Sequence, residues 1–183
     1  MKKRSTLVTI LIIFVVGALG VGATCAMLFS RSNSVENTFT YGDIKLELTE
    51  STGRTYLISP GVTYKKDPRV TVFSDSEECY LFCKVNTTND FDSYMEWAIA
   101  DGWTSLNGYS GIWWRKVESK PYDHVVPILK EDTVTVKDTV TKQQLAALDH
   151  YPKLTFYAYA IQTHTIQDAV AAWQFITQEE EGQ

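Results

Sequence analysis

Three histidines, three cysteines, two acidic clusters and a group of tryptophans are the side chains here with the chemistry to make a site. His124, His150 and His164 are far apart in sequence. None pairs with another at the i, i+4 spacing that puts two imidazoles on one helix face, and no His-Glu-x-x-His is present. Serines lack the Gly-x-Ser-x-Gly setting of a strand-to-helix nucleophile, and the glycines stand singly, so no loop has the glycine density of a phosphate cradle. Cys83 lies among Leu81, Phe82 and Val85, a hydrophobic setting that suits a core thiol and not an activated thiolate. Asp75, Glu77 and Glu78 crowd one loop, and Asp90 and Asp92 another. Calcium requires several converging oxygens, and a solvated loop is the preferred reading for these acids. Trp97, Trp103, Tyr109, Trp113 and Trp114 form a dense aromatic stretch that suits either a hydrophobic core or a sugar platform. No catalytic residue, cofactor-binding residue or metal ligand is assigned, and no cofactor is expected.

The elements that must position these groups are mostly strands. Ile44, Leu46 and Leu48 alternate with Lys45, Glu47 and Thr49, the pattern of a half-buried strand. Ser51-Thr52-Gly53 turns the chain, and Thr55 to Ile58 is expected as a short strand. Pro60-Gly61 marks a turn, Pro68 bars a central-strand position, and Val70 to Phe73 follows as a strand. Tyr80 to Val85 is apolar on both faces and predicts a central strand. Along such a strand Cys79 and Cys83 share a face with their sulfurs about 13 Å apart, too far for a disulfide. Two buried thiols are expected. Asn86-Thr87-Thr88 is a formal glycosylation sequon.

Phe91, Tyr94, Met95 and Ala98 fit one face of a helix over Phe91 to Ala100. Trp103 to Leu106 and Gly111 to Val117 flank Asn107-Gly108 and predict a hairpin in which Trp113 and Trp114 face opposite sides. Pro121 and Pro127 bracket a connection, and Val134 and Val136 belong to another strand. Thr141 and Gln144 form a capping box for a short helix. Leu154 to Gln162 is the strongest strand pattern in the chain. Thr165 opens a helix through Asp168, with Ile166, Val170 and Trp173 on one face. Seven to nine strands without βα alternation predict a mainly β chain built as an antiparallel β-sandwich, with a few short helices. The helix near the C-terminus is expected on an edge or end of the sandwich.

Residues 1–26 carry the address. Lys2, Lys3 and Arg4 precede an apolar run from Leu7 to Val21, and Thr24-Cys25-Ala26 has small residues at its first and third positions. That order is a secretory signal with cleavage expected between Ala26 and Met27. The alternative is a retained anchor, although the run is short for a span of about 20 residues. No Leu stands where a lipoprotein signal would carry one ahead of Cys25. The organisation expected is a signal peptide over 1–26 and one β-sandwich domain over 27–183. The chain has 17 Lys and Arg against 22 Asp and Glu; without the three signal positives, 14 remain against 22, a mature charge of −8. Such an acidic domain excludes nucleic acid as a partner and leaves the membrane to the signal segment alone.

In this order the pieces resemble the TasA/camelysin family of exported Gram-positive proteins. They are the Lys-rich signal ending Gly22-Ala-Thr-Cys-Ala26, Asn37-Thr-Phe-Thr-Tyr-Gly-Asp43 leading into the first strand, and Pro60-Gly61 with Lys66-Asp67-Pro68 before Val70-Thr-Val72. Tyr80-Leu81 with Lys84-Val85, and Leu154 to Gln162 followed by Ala171-Ala-Trp173, complete the set. Met27-Leu28-Phe29 departs from the aromatic pair the family often has there, and Cys79 and Cys83 are not family features. The resemblance implies a jelly-roll-like sandwich, export through a SipW-like signal peptidase, and a structural role at the cell surface or in a biofilm matrix. It also implies self-association into fibres, or association with related matrix subunits, by donation of an N-terminal strand. Met27 to Thr38 is the candidate donor. Camelysin relatives have been classed as secreted metallopeptidases, an alternative for which this sequence supplies no zinc motif. A third reading is a non-enzymatic module binding wall glycan through Trp113 and Trp114.

Overall fold

The structure is a computed structural model, and it describes residues 38–181 apart from 42, 54, 89 and 165. The signal segment, its Ala26/Met27 junction and the donor segment up to Asn37 lie outside the described residues. All described residues belong to one compact unit, Glu36–Gln183.

Two long strands form its centre. β5 (Cys79–Thr87) and β11 (Leu154–Gln162) pair antiparallel along their whole length, from Cys79 opposite Gln162 to Thr87 opposite Leu154. β8 (Ile112–Val117) continues the sheet beyond β5, and β7 (Thr104–Ser105) pairs with the Trp113–Trp114 part of β8. On the other side β1 (Thr38–Tyr41) lies parallel to β11. This five-stranded sheet runs in the order β1-β11-β5-β8-β7. Two three-stranded sheets complete the fold. One is β2 (Leu46–Thr49), β4 (Arg69–Val72) and β9 (His124–Pro127); the other is β3 (Thr63–Lys65), β10 (Thr133–Val136) and β6 (Met95–Glu96). Every pairing except β1 with β11 is antiparallel.

The alternation in β5 and β11 divides the interior. Cys79, Leu81, Cys83 and Val85, with Phe156, Ala158 and Ala160 beside them, face a core shared with Leu48, Val70, Val72, Val126, Val134 and Val136 of the smaller sheets. The opposite face carries Phe82, Ile112, Tyr159 and Ile161. Helix α3 (Ala169–Glu181) covers that second face through Ala169, Ala172, Trp173 and Ile176. The Trp173 ring lies 5.3 Å from the rings of both Phe82 and Tyr159. The helix therefore packs flat on the large sheet and not on an edge or end of it. A sheet with two apolar faces must cover both, and α3 supplies the second cover. The expected cap, Thr165, lies outside the described residues. Asp168 caps the described helix, accepting from the Ala171 backbone N–H at 2.9 Å.

Other expectations change in physically instructive ways. Thr55 to Ile58 forms no strand, because the Tyr64 hydroxyl donates to the Leu57 carbonyl at 2.8 Å and accepts from the Ser59 N–H at 2.9 Å. A side chain takes backbone groups there that a ladder would otherwise use. The helix over Phe91 to Ala100 reduces to α1 (Phe91–Tyr94); from Met95 the chain is extended and pairs with Val136 of β10. Edge pairing to β10 outweighs a weak helical period. His124–Pro127 is β9 and not a plain connection. Pro68 stands one residue before β4, which is central in its small sheet, and so withholds no ladder N–H. The capping box forms at α2 (Lys142–Ala146): Gln144 N–H donates to Thr141 Oγ1 at 3.2 Å, and Thr141 N–H donates to Gln144 Oε1 at 2.8 Å. The hairpin of β7 and β8 closes through loop 107–111, with positive φ at Gly108 and Gly111.

Cys79 and Cys83 are free and buried. Burial, helped by the charge of Glu78, pushes the Cys79 thiol up to about 12, and burial alone raises Cys83. The thiolate is the reactive form. Labelling of the native protein by a disulfide reagent at pH 8 should therefore run at least about a hundredfold slower than in denaturant. Comparable rates in the two conditions would show that the strand is not closed over them. Truncating Trp173→Ala should cost roughly 3–5 kcal/mol of stability in urea denaturation.

Candidate functional site

The histidines do not assemble. His124 lies on β9, while His150, after α2, and His164, after β11, are exposed. No three His, Cys, Asp or Glu side chains among the described residues converge to hold a metal ion. The donor set of a zinc peptidase therefore does not fit these residues, and neither acidic loop forms a calcium cage. Glu78 pairs with Lys116 at 2.9 Å and accepts from the Thr163 hydroxyl at 2.7 Å. Lys116 and then Thr163 hold its carboxyl below the usual range.

The aromatic stretch divides among three places. Trp103 is buried, its indole N–H donating to the Pro127 carbonyl at 2.8 Å, so it ties the chain after Gly102 to the end of β9. Trp114 faces the helix side of the large sheet, edge-on to Tyr80 at 5.8 Å. Trp113 points to the opposite side, where it lines the same groove as Trp97.

Trp97 and Trp113 line an open groove of about 510 Å³ with Val85, Asn86, Thr87, Asp92, Ser110 and Gly111. Both indoles are half-buried and rest on the main core. Each wall is held. The Trp97 N–H donates to Asp92 Oδ1 at 3.4 Å, and the Asp92 carbonyl accepts from Lys137 Nζ at 2.6 Å. The Val85 N–H donates to the Gly111 carbonyl at 2.8 Å. A Cβ at Gly111 would stand 2.8 Å from the Val85 carbonyl oxygen, and the residue has φ +74°, so this floor requires glycine.

A second opening, of about 210 Å³, lies where β8 and β9 part. Arg115, Lys116, Val117 and Glu118 line one side, and His124 and Val126 the other. Arg115 reaches over Trp103, its guanidinium 5.8 Å from the ring, and burial lowers its pKa. Arg115 Nε and His124 Nε2 are both enclosed without a hydrogen-bond partner among the described residues. β7 covers only the Trp113–Trp114 end of β8, and β9 pairs on one side alone, with β4. Val125 stands 56% exposed on that edge. The opening is thus a gap between two incompletely paired strands.

Across the small sheets, Asp67 organises a turn. Its carboxylate accepts from the Ser51 and Thr52 backbone N–H groups at 3.0 and 2.9 Å and from both hydroxyls. The Ser51 hydroxyl, then the Thr52 N–H, hold this carboxyl far below the ordinary range. Beside it, Lys66 and Glu50 form an ion pair at 2.7 Å with both side chains 13% exposed.

Family models, curated proteins and solved structures were compared with the chain, and none matches. No helix among the described residues is long and apolar enough to cross a membrane.

The Asp67 turn gives a pH signature. A carboxyl with a depressed folded pKa contributes stability above its unfolded value of about 3.9, and loses it as pH falls through the folded value. Asp67→Ala should therefore lower stability at pH 7, and the gap from the parent should shrink below about pH 4. Urea denaturation of both proteins at pH 7 and pH 3 measures this; an equal gap at the two pH values would assign the loss to something other than the ionised carboxylate.

Proposed function

We propose that this protein is an exported structural subunit of the bacterial cell surface or biofilm matrix. It assembles head to tail into fibres by passing its N-terminal segment to a neighbour as an added strand. The domain in this reading is a jelly-roll-like sandwich, and the chain is released by a SipW-like signal peptidase cutting between Ala26 and Met27. Support comes from the signal pattern of residues 1–26 and from the ordered resemblance to the TasA/camelysin family.

The observation that carries the reading is the position of the sheet edges. β1 and β2 lie at one lateral side of the domain, and β8, β7 and β9 at the other. β1 has a single strand partner, β11, among the described residues, and β9 likewise has only β4. Unpaired N–H and C=O groups along an edge accept an added strand. The chain enters β1 directly from segment 27–37, which when extended reaches roughly 36 Å, enough to lie along a neighbour's edge. Different surfaces at the two sides make a heterologous contact, and such contacts propagate as open filaments.

Removal of Met27 to Asn37 from the secreted protein should abolish filaments seen by electron microscopy, and unchanged filaments would refute strand donation. Val125→Lys places a charge on the β9 edge. It should reduce filament yield at least about tenfold while leaving the thermal midpoint of the subunit within about 2 °C.

A further inference from the structure

We infer that the groove between Trp97 and Trp113 is a binding site for a neutral oligosaccharide. The lining has the composition that recognition of a pyranose chain requires: two partly exposed indole faces for the apolar C–H faces of the sugar, and polar groups around them for its hydroxyls. The side chains of Asn86, Thr87 and Ser110 are not engaged by any other described residue, and Asn86, Thr87 and Ser110 are exposed at the rim. An amide and two hydroxyls offer both donors and acceptors, which matches a ligand whose every hydroxyl is both. Asp92 is the one charged residue in the lining, and it is already oriented by the Trp97 indole and by its backbone bond to Lys137.

The site is also preformed. Gly111, by lacking a Cβ, lets its loop close onto the Val85 backbone, and Trp113 is held in β8 between β5 and β7. Trp97 packs against the core with its N–H toward Asp92, as Trp113 packs from β8, which reduces the ordering a ligand must impose. The volume of about 510 Å³ lies within the range of small-ligand clefts, about 300–1,000 Å³. Charge selects the class of ligand. With no cation in the lining and a charge of −8 on the mature chain, 14 Lys and Arg against 22 Asp and Glu, polyanions are disfavoured and an uncharged chain is accepted. Trp114, on the other face of the sheet, takes no part.

The test uses the secreted protein, residues 27–183, with chitotetraose, cellotetraose and maltotetraose as probes, read by saturation-transfer NMR and by calorimetric titration. At least one tetrasaccharide should bind saturably, with its ring protons receiving saturation. Trp97→Ala and Trp113→Ala should each weaken binding at least tenfold, whereas Trp114→Phe should not. Because Trp113 also rests on the core, the exposed-rim variants Asn86→Ala and Asp92→Asn provide a second reading. Each should weaken binding at least threefold with an unchanged circular dichroism spectrum. No saturable binding by any of the three probes overturns the proposal. So does binding that survives Trp97→Ala and Asn86→Ala at full affinity. Filament formation is scored separately, so failure of the sugar site and failure of strand donation are distinguishable.

Discussion

The ladder between β5 and β11 is the interaction on which the rest of the structure depends. It is long, central and buried on both faces, with Leu81, Phe82 and Cys83 fully enclosed in succession. Consecutive buried residues on a strand demand two separate cores, since their side chains leave the sheet in opposite directions. The smaller sheets close one face and α3 closes the other. Every candidate site is built at the margin of this arrangement. The groove at Trp113 opens at the end of β5, the gap at Arg115 lies where β8 and β9 part, and β1 continues the sheet on its far side.

This architecture separates what is rigid from what is available. Thiols placed inside β5 behave as small hydrophobes, and burial raises their pKa values away from reactivity. Polar groups with structural duties are saturated, as at Asp67, where two N–H groups and two hydroxyls meet one carboxylate. Arg115 Nε and His124 Nε2 are enclosed between two strands without a partner among the described residues, as are Tyr56 Oη and Asp132 Oδ1 elsewhere, while Asn86, Thr87 and Ser110 stand exposed around two indoles. Buried polar atoms are nearly always paired in folded proteins, so Arg115 Nε and His124 Nε2 are exceptions within this fold.

Much of this was legible from side-chain period. The two-sided run around Leu81 and Phe82, the alternation at Ile44 to Leu48, the capping box at Thr141 and the run from Leu154 to Gln162 each carry their local structure in their own residues. Some short strands were legible from alternation, as at β2, β4 and β10, and others were not. β1, β3, β6 and β9 hold two to four residues each and exist because a neighbour offers backbone groups to pair with. The same cause turned Met95 away from a helix, while the Tyr64 hydroxyl drew Leu57 away from a strand.

The sequence by itself determined the mainly β character, the long central strands, the two unbridged cysteines and the opposed directions of Trp113 and Trp114. All of these follow from alternation along an extended chain, which is local. Only the tertiary structure decided that α3 covers a sheet face, that Trp97 and Trp113 line one groove while Trp103 and Trp114 go elsewhere, and that an opening lies between β8 and β9 at Arg115 and His124. Those facts depend on which strands become neighbours. Pairing between distant segments is set by the sum of many burial and hydrogen-bond terms across the whole fold, and no single stretch of residues contains it.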